Sequence, residues 1–194
     1  AYAVGAILPT VIFGALAIFF FLRPGTSDSE LSTPSSLLSD TDKSIAVLPL
    51  ENMSPDPENA FFADGVQEDI LTNLSKIDEL LVISRSSTLQ YRSPDRNLKE
   101  IGEALGVRYI VEGSVRRADD QVRVTVQLIE TETDSHLWSE NYDRPLTDIF
   151  AIQAEIAKQV ANQLHAVLSP QEVARIESQP TDNLEAYDLF LKFR

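Results

Sequence analysis

The chain has 194 residues, 43% of them hydrophobic, with 30 acidic against 16 basic side chains, a formal net charge of −14 and no cysteine. So acidic a composition argues against nucleic-acid binding by this segment, because neutralising phosphates takes clustered Lys and Arg. The lack of cysteine removes disulfides, thiol catalysis and thiolate metal ligands, and says nothing about compartment.

The charge is unevenly placed. Residues 1 to 22 carry no charged side chain, and Ala3 to Leu22 reads AVGAILPTVIFGALAIFFFL with only Thr10 polar. At a rise of about 1.5 Å per residue, about 20 apolar residues match a hydrocarbon core about 30 Å thick, so a transmembrane helix is predicted over 3–22. Gly5, Pro9 and Gly14 are tolerated in such a helix. A signal peptide would need a basic leader and a small-residue cleavage site, whereas this run ends on Phe19, Phe20, Phe21, Leu22 and Arg23. Gly5, Gly14 and Ala15 offer a packing face for a homo-oligomer, a weak pointer because small residues are common in membrane helices. Arg23 alone does not orient the helix. The first residue is not Met, so the chain is expected to be an excerpt of a longer protein.

Residues 23–42 are rich in Ser, Thr, Asp and Pro, with little to bury, and read as a flexible linker. The domain expected over 43–168 opens with IAVLPL (Ile45 to Leu50), a continuous apolar run suited to a strand covered on both faces. After the turn-rich NMSPDPEN, Phe62, Val66, Ile70, Leu74 and Ile77 mark one face of a helix. Leu80 to Ile83 is a second short strand, and a parallel pair with a right-handed crossover is the default geometry. Asn97 is a candidate N-cap, Glu100 completes a capping box and Gly106 ends a helix striped by Leu98, Ile101 and Leu105.

Beyond Gly106 the period changes. Tyr109, Val111 and Val115, then Val122, Val124, Val126 and Leu128 alternating with Arg123, Thr125 and Gln127, indicate antiparallel strands with one wetter face. Turns are predicted at ADDQ (118–121) and ETDS (132–135), the latter leading to a strand with Leu137, Trp138 and Tyr142. Ile149, Ile152, Ile156, Val160, Leu164 and Val167 form a helical stripe, with Thr147 and Asp148 available to cap it. A further helix starts after Ser169, and the chain restarts at Asn183 with LEAYDLFLKFR. The fold class is α/β (α+β): a mixed sheet packed with helices, in the order β-α-β-α-β-β-β-α, preceded by one transmembrane helix.

Three stretches, KSIAVLPLENMSPDPENAFFADGVQEDILTNLSKI, GVRYIVEGSVRRADDQVRVTVQLIETETDSHLWSENYDR and LTDIFAIQAEIAKQV, resemble in order the TolB N-terminal-like domain of bacterial membrane proteins, and the similar flagellar protein FlgO. The resemblance covers about 43–168. Relatives often have Phe in place of Leu50 and Gly at Asp119 or Asp120, departures that are mild. It implies tetratricopeptide repeats beginning within 169–194 and an effector before the membrane helix, such as a class III adenylate or guanylate cyclase or a winged-helix domain. It also implies a single-pass bacterial inner-membrane protein with 24–194 in the periplasm.

No catalytic, cofactor or metal constellation stands out. Asp56, Glu58, Asp64, Glu68 and Asp69 follow the first strand, where α/β sheets bind ligands, but lack the spacing and Gly of a calcium loop. A metal-dependent hydrolase using them is the alternative to capping and solvated charge. Gly65 in FADG reads as a packing glycine where its helix meets the sheet, not a phosphate turn. His136 and His165 lie on different elements, and Ser84, Ser86, Ser87 and Ser114 have no nucleophile elbow around them. An interaction surface is drawn instead from Arg116, Arg117 and Arg123, the one basic spot, with His136, Trp138 and Tyr142 on the last strand. The expected function is a non-enzymatic sensing or protein-interaction domain with protein partners and a bilayer anchor.

Overall fold

In strand β1 (Ser44–Val47) every residue is buried, as the unbroken apolar run requires. It is flanked by two parallel neighbours, β3 (Leu81–Val82) and β4 (Tyr109–Ala118). The structure, a computed structural model, describes residues 42–93 and 95–193. The predicted membrane helix at 3–22 and the linker up to residue 41 lie outside the described residues. Among those described, no helix is long and apolar enough to cross a membrane.

IAVLPL does not form one strand. Leu48 still donates its N–H to Val111 O at 2.9 Å, but Pro49 has no N–H to continue the ladder. The chain re-enters the sheet as β2 (Glu51–Asn52), also parallel to β4. A 3₁₀ turn (Pro57–Asn59) then leads into α1 (Ala60–Leu74), which stops short of the Ile77 that its periodicity reaches. Ile77 remains buried, in a turn closed by its N–H to Leu74 O at 3.1 Å.

After β3 come a single helical turn, α2 (Arg85–Thr88), and α3 (Leu98–Leu105). The caps of α3 stand where the sequence places them: Asn97 Oδ1 accepts from the N–H groups of Lys99 and Glu100, and Gly106 takes φ +64°. The return bond of the box runs from the Asn97 side-chain amide to Glu100, at 2.9 Å.

β4, β5 (Gln121–Glu130) and β6 (Ser135–Pro145) form an antiparallel meander. Asp119 and Asp134, at φ +51° and +53°, turn its two hairpins, a conformation Asp tolerates better than most residues. The described strands make one mixed sheet of six, in the order β3-β1-β4-β5-β6 with β2 beside β4. This is the expected α+β class, with β2 and α2 added to the expected order; the helix expected after Ser169 is present as Pro170–Glu177, and the restart at Asn183 leads into a helix, Leu184–Phe193.

The two faces of the sheet are covered unequally. Ile45, Val47, Val111, Val115, Val122, Val124, Val126, Leu128 and Tyr142 pack under α1, α4 (Ile149–Gln163), α5 (Pro170–Glu177) and α6 (Leu184–Phe193). The opposite face carries a smaller cluster, Ala46, Leu48, Ile101, Val107 and Ile110, centred on α3. α4 ends earlier than its stripe suggests. His165 adopts φ +52°, its N–H and that of Ala166 bond back to Asn162 O and Ala161 O, and Val167 is left exposed.

Gly113 fixes the approach of β4 to β5, because a Cβ there would run into the backbone oxygen of Thr125, which the ladder holds in place. Gly113→Ala is expected to cost about 3 kcal/mol or more in urea unfolding; an unchanged midpoint would show that the strands can part. Glu172 completes the capping box of α5 with Ser169 and also accepts the Asp78 N–H at 2.8 Å. These bonds push its carboxyl from 4.5 down to about 2. The stabilisation is therefore present above about pH 4.5 and lost as pH falls through about 2. The melting-temperature gap between the native chain and Glu172→Gln should close across that window, and a gap indifferent to pH would contradict the assignment.

Candidate functional site

The carboxyl end of β1 opens on a cavity of about 210 Å³ between the loop after β1, the first turns of α1 and the loop before α3. Its polar lining is Glu51, Asn52, Asp64, Arg92 and Arg96. Arg92 grips Asp64 with two parallel bonds of 2.8 and 3.0 Å, and that carboxylate raises the guanidinium pKa further. Arg96 donates to Tyr91 O at 2.7 Å and to Glu112 Oε2 at 3.2 Å. Arg85 lies 3.8 Å from both Asp64 and Glu68.

The carboxylates grouped in the sequence are thus not one cluster. Asp64 and Glu68 face arginines, Asp56 is exposed in the loop, and the side chain of Glu58 lies outside what is described. Asp69 turns to the other side of α1. Among the described residues, no group of three or more His, Cys, Asp or Glu side chains is placed to hold a metal ion. Ser84 Oγ meets Ser86 Oγ and Ser87 Oγ, each at 3.1 Å. His165 stands apart at the end of α4.

The six residues drawn as an interaction surface divide between the two faces of the meander. Arg116 and Arg123 are directly opposite on the outer face, and Arg123 holds Asp143 of β6 through bonds of 2.5 and 2.7 Å. That pairing lowers the Asp143 pKa. Arg117, one residue on, points to the helical side, where it pairs with Asp188 of α6 at 2.5 Å and covers the Phe62 ring. Tyr142 is buried on the same side, and burial pushes its hydroxyl up to about 12. Trp138 lies partly buried beside the core.

His136 parts from Trp138 because the register slips between Leu128 and Ile129. Trp138 pairs with Leu128, whereas His136 pairs with Ile129, so they do not share a face as strict alternation would place them. The outer face therefore presents Arg116, Arg123 and His136, with Thr125 bonded to Asn141 at 2.8 Å.

Sequence reasoning missed the docking of α6. Tyr187 donates its hydroxyl to Asp69 Oδ2 at 2.5 Å, Gln153 Nε2 reaches the same oxygen at 3.1 Å, and Phe150 meets the Tyr187 ring edge-on. Burial first, then the Asp69 charge, raises the Tyr187 pKa. Gly65 is the notch for this helix: a Cβ would lie 2.5 Å from the Leu191 methyls. Its packing role was legible, but the partner is α6, not the sheet. Arg85, Arg92 and Arg96 were also missed, although three arginines in SRSSTLQYRSPDRN stand out in so acidic a chain.

Gly65→Ala should displace Leu191 and loosen α6. Amide exchange over 184–193 is expected to accelerate at least about tenfold, with β4 to β6 unchanged. Equal protection in both proteins would mean that α6 is held elsewhere.

A curated relative, "Putative adenylate cyclase 3" of Rhizobium meliloti (strain 1021), is 48% identical over 151 residues. That match takes in 78% of this chain and 26% of the relative, so the chain spans about a quarter of the relative's length. Among solved structures, TolB from Acinetobacter baumannii aligns at 18% identity and TM-score 0.49, over 66% of this chain and 29% of that one. Lipoprotein GNA1162 from Neisseria meningitidis aligns at 17% identity and TM-score 0.46, over 66% and 99%. The family described as HilA/YgeH-like transcriptional regulator, second domain, matches residues 41–159. That match spans more than half of the chain, which belongs to this family.

Proposed function

We propose that residues 43–168 form a non-enzymatic sensing or protein-interaction domain of a multidomain bacterial signalling protein. The observation that carries the reading is the unequal covering of the sheet. The helical side of the meander is closed by α1 and α4 to α6, while the outer side keeps Arg116, Arg123, Asn141 and Asp143 exposed on three long strands. Such a polar, uncovered face is open to a protein partner. Arg116 and Arg123 stand side by side with, among the described residues, one carboxylate, Asp143, in an ion pair there, so the partner surface that fits is acidic.

In this reading a helix over 3–22 anchors the chain in the bacterial inner membrane, the linker 23–42 spaces it, and the domain lies in the periplasm. Residues 169–194 lead into tetratricopeptide repeats. The effector lies in the longer protein beyond this segment. The name of the Rhizobium relative fits a cyclase, and the description of the family fits a transcriptional regulator. The hydrolase alternative has little support, because Asp64 and Glu68 are set against arginines.

Deleting 43–168 from the full-length protein should change effector output while the purified effector keeps its chemistry, and Arg116→Glu should act in the same direction. Substrate turnover by the 194-residue chain alone would contradict the reading. An alkaline phosphatase fusion after Arg194 should be active and a green fluorescent protein fusion dark, and the reverse pattern would place the domain in the cytoplasm.

A further inference from the structure

We propose that the cavity at the carboxyl end of β1 binds a small zwitterionic solute of the size and charge pattern of an α-amino acid. The proposal deepens the sensing reading above and rests on it for its biological consequence.

The first argument is position. β1 lies between β3 and β4, and the two connections that pass it run on opposite sides: α1 packs with Ile45 and Val47, α3 with Ala46 and Leu48. The connections thus part around the end of β1. Open sheets bind ligands at such a point, outside the carboxyl ends of the strands. The cavity occupies that place, floored by Leu50 and the first turns of α1.

The second argument is size. A volume of about 210 Å³ has room for several waters and lies below the range of about 300–1,000 Å³ usual for sites that hold drug-sized ligands. It suits a solute of under about ten heavy atoms.

The third argument is charge. Arg92 and Arg96 are both oriented before any ligand arrives, Arg92 by Asp64 and Arg96 by Tyr91 O and Glu112. Each guanidinium has five N–H donors, so both keep donors for a carboxylate. Their charge is already balanced by Asp64 and Glu112. Glu51, also on the lining, has no ion-pair partner among the described residues. A multiply charged anion such as phosphate would therefore meet an unbalanced carboxylate. A dipolar solute satisfies both ends, its carboxylate on the arginines and its ammonium on Glu51.

Calorimetry on the full 194-residue chain in mild detergent tests this with L-serine and L-alanine, and with acetate, ethanolamine and inorganic phosphate as partial mimics. At least one amino acid should give saturable heat, with acetate and ethanolamine at least about tenfold weaker. Glu51→Gln, at an exposed position, should weaken the amino acid about tenfold or more and leave acetate unchanged. Arg123→Gln, on the outer sheet face, should change neither. The site is overturned if neither amino acid binds up to roughly 10 mM, if phosphate binds more tightly than both, or if Glu51→Gln binds them as before. Binding without any effect on effector output in the full-length protein would leave the site standing and sink the sensing reading. No binding, with a deletion of 43–168 that still alters output, would do the opposite.

Discussion

The structure depends on burying both faces of β1. The strand and the residue that follows it, with Ile45, Val47 and Leu48 fully buried, gain about 1.5–3 kcal/mol from each side chain only if both sides of the sheet are covered. That demand places α1 on one face and α3 on the other, and it makes both neighbours parallel, since the crossovers return the chain in the same direction. The same demand leaves a crevice where the crossovers part. The meander beyond β4 is under no such constraint: its hydrophobic side chains alternate, one face is sealed, and the other stays polar.

α1 joins the parts of the molecule that carry chemistry. Ala63 and Asp64 border the cavity, while Phe62, Gly65 and Asp69 receive Arg117, Leu191 and Tyr187. Two turns of one helix therefore touch both the crevice and α6. Arg117 extends this link to β4, so the helical side of the sheet, α1 and α6 share one set of contacts. Arg116, its neighbour in sequence, contributes only to the outer face. Alternation along a strand thus splits one basic dipeptide between a structural and a surface role.

Most of the fold was legible because its signals are local. The IAVL run, the stripe of α1, the Asn97 and Gly106 caps and the alternation of β5 each depend on residues within one or two turns or a single strand. What was missed depends on long-range register or on atypical residues. Pro49 splits a run whose hydrophobicity is unbroken. The slip at Leu128 and Ile129 moves His136 off the face of Trp138, and nothing in SHLWSENY marks it. His165 ends α4 in a conformation usually given to Gly, so the stripe reads on to Val167. Gly65 was identifiable as a packing residue, but Leu191 is too distant in the chain for sequence to name it as the partner. The paired roles of Arg92 with Asp64 and of Arg96 with Glu112 needed three dimensions, which is why the carboxylates near α1 read as a cluster although Asp64 and Glu68 are set against arginines and Asp69 against Tyr187.

The central claim is that the outer face of β4 to β6 is a docking surface and the opposite face is closed. Hydroxyl-radical footprinting tests it most directly, comparing the full-length protein in native membranes with the isolated 194-residue chain. The account expects the outer-face probes Arg116 and His136 to be protected only in the full-length protein, with exposed Val167, in the turn that ends α4 on the helical side, labelled equally in both. Equal labelling of Arg116 and His136 in the two preparations would contradict it.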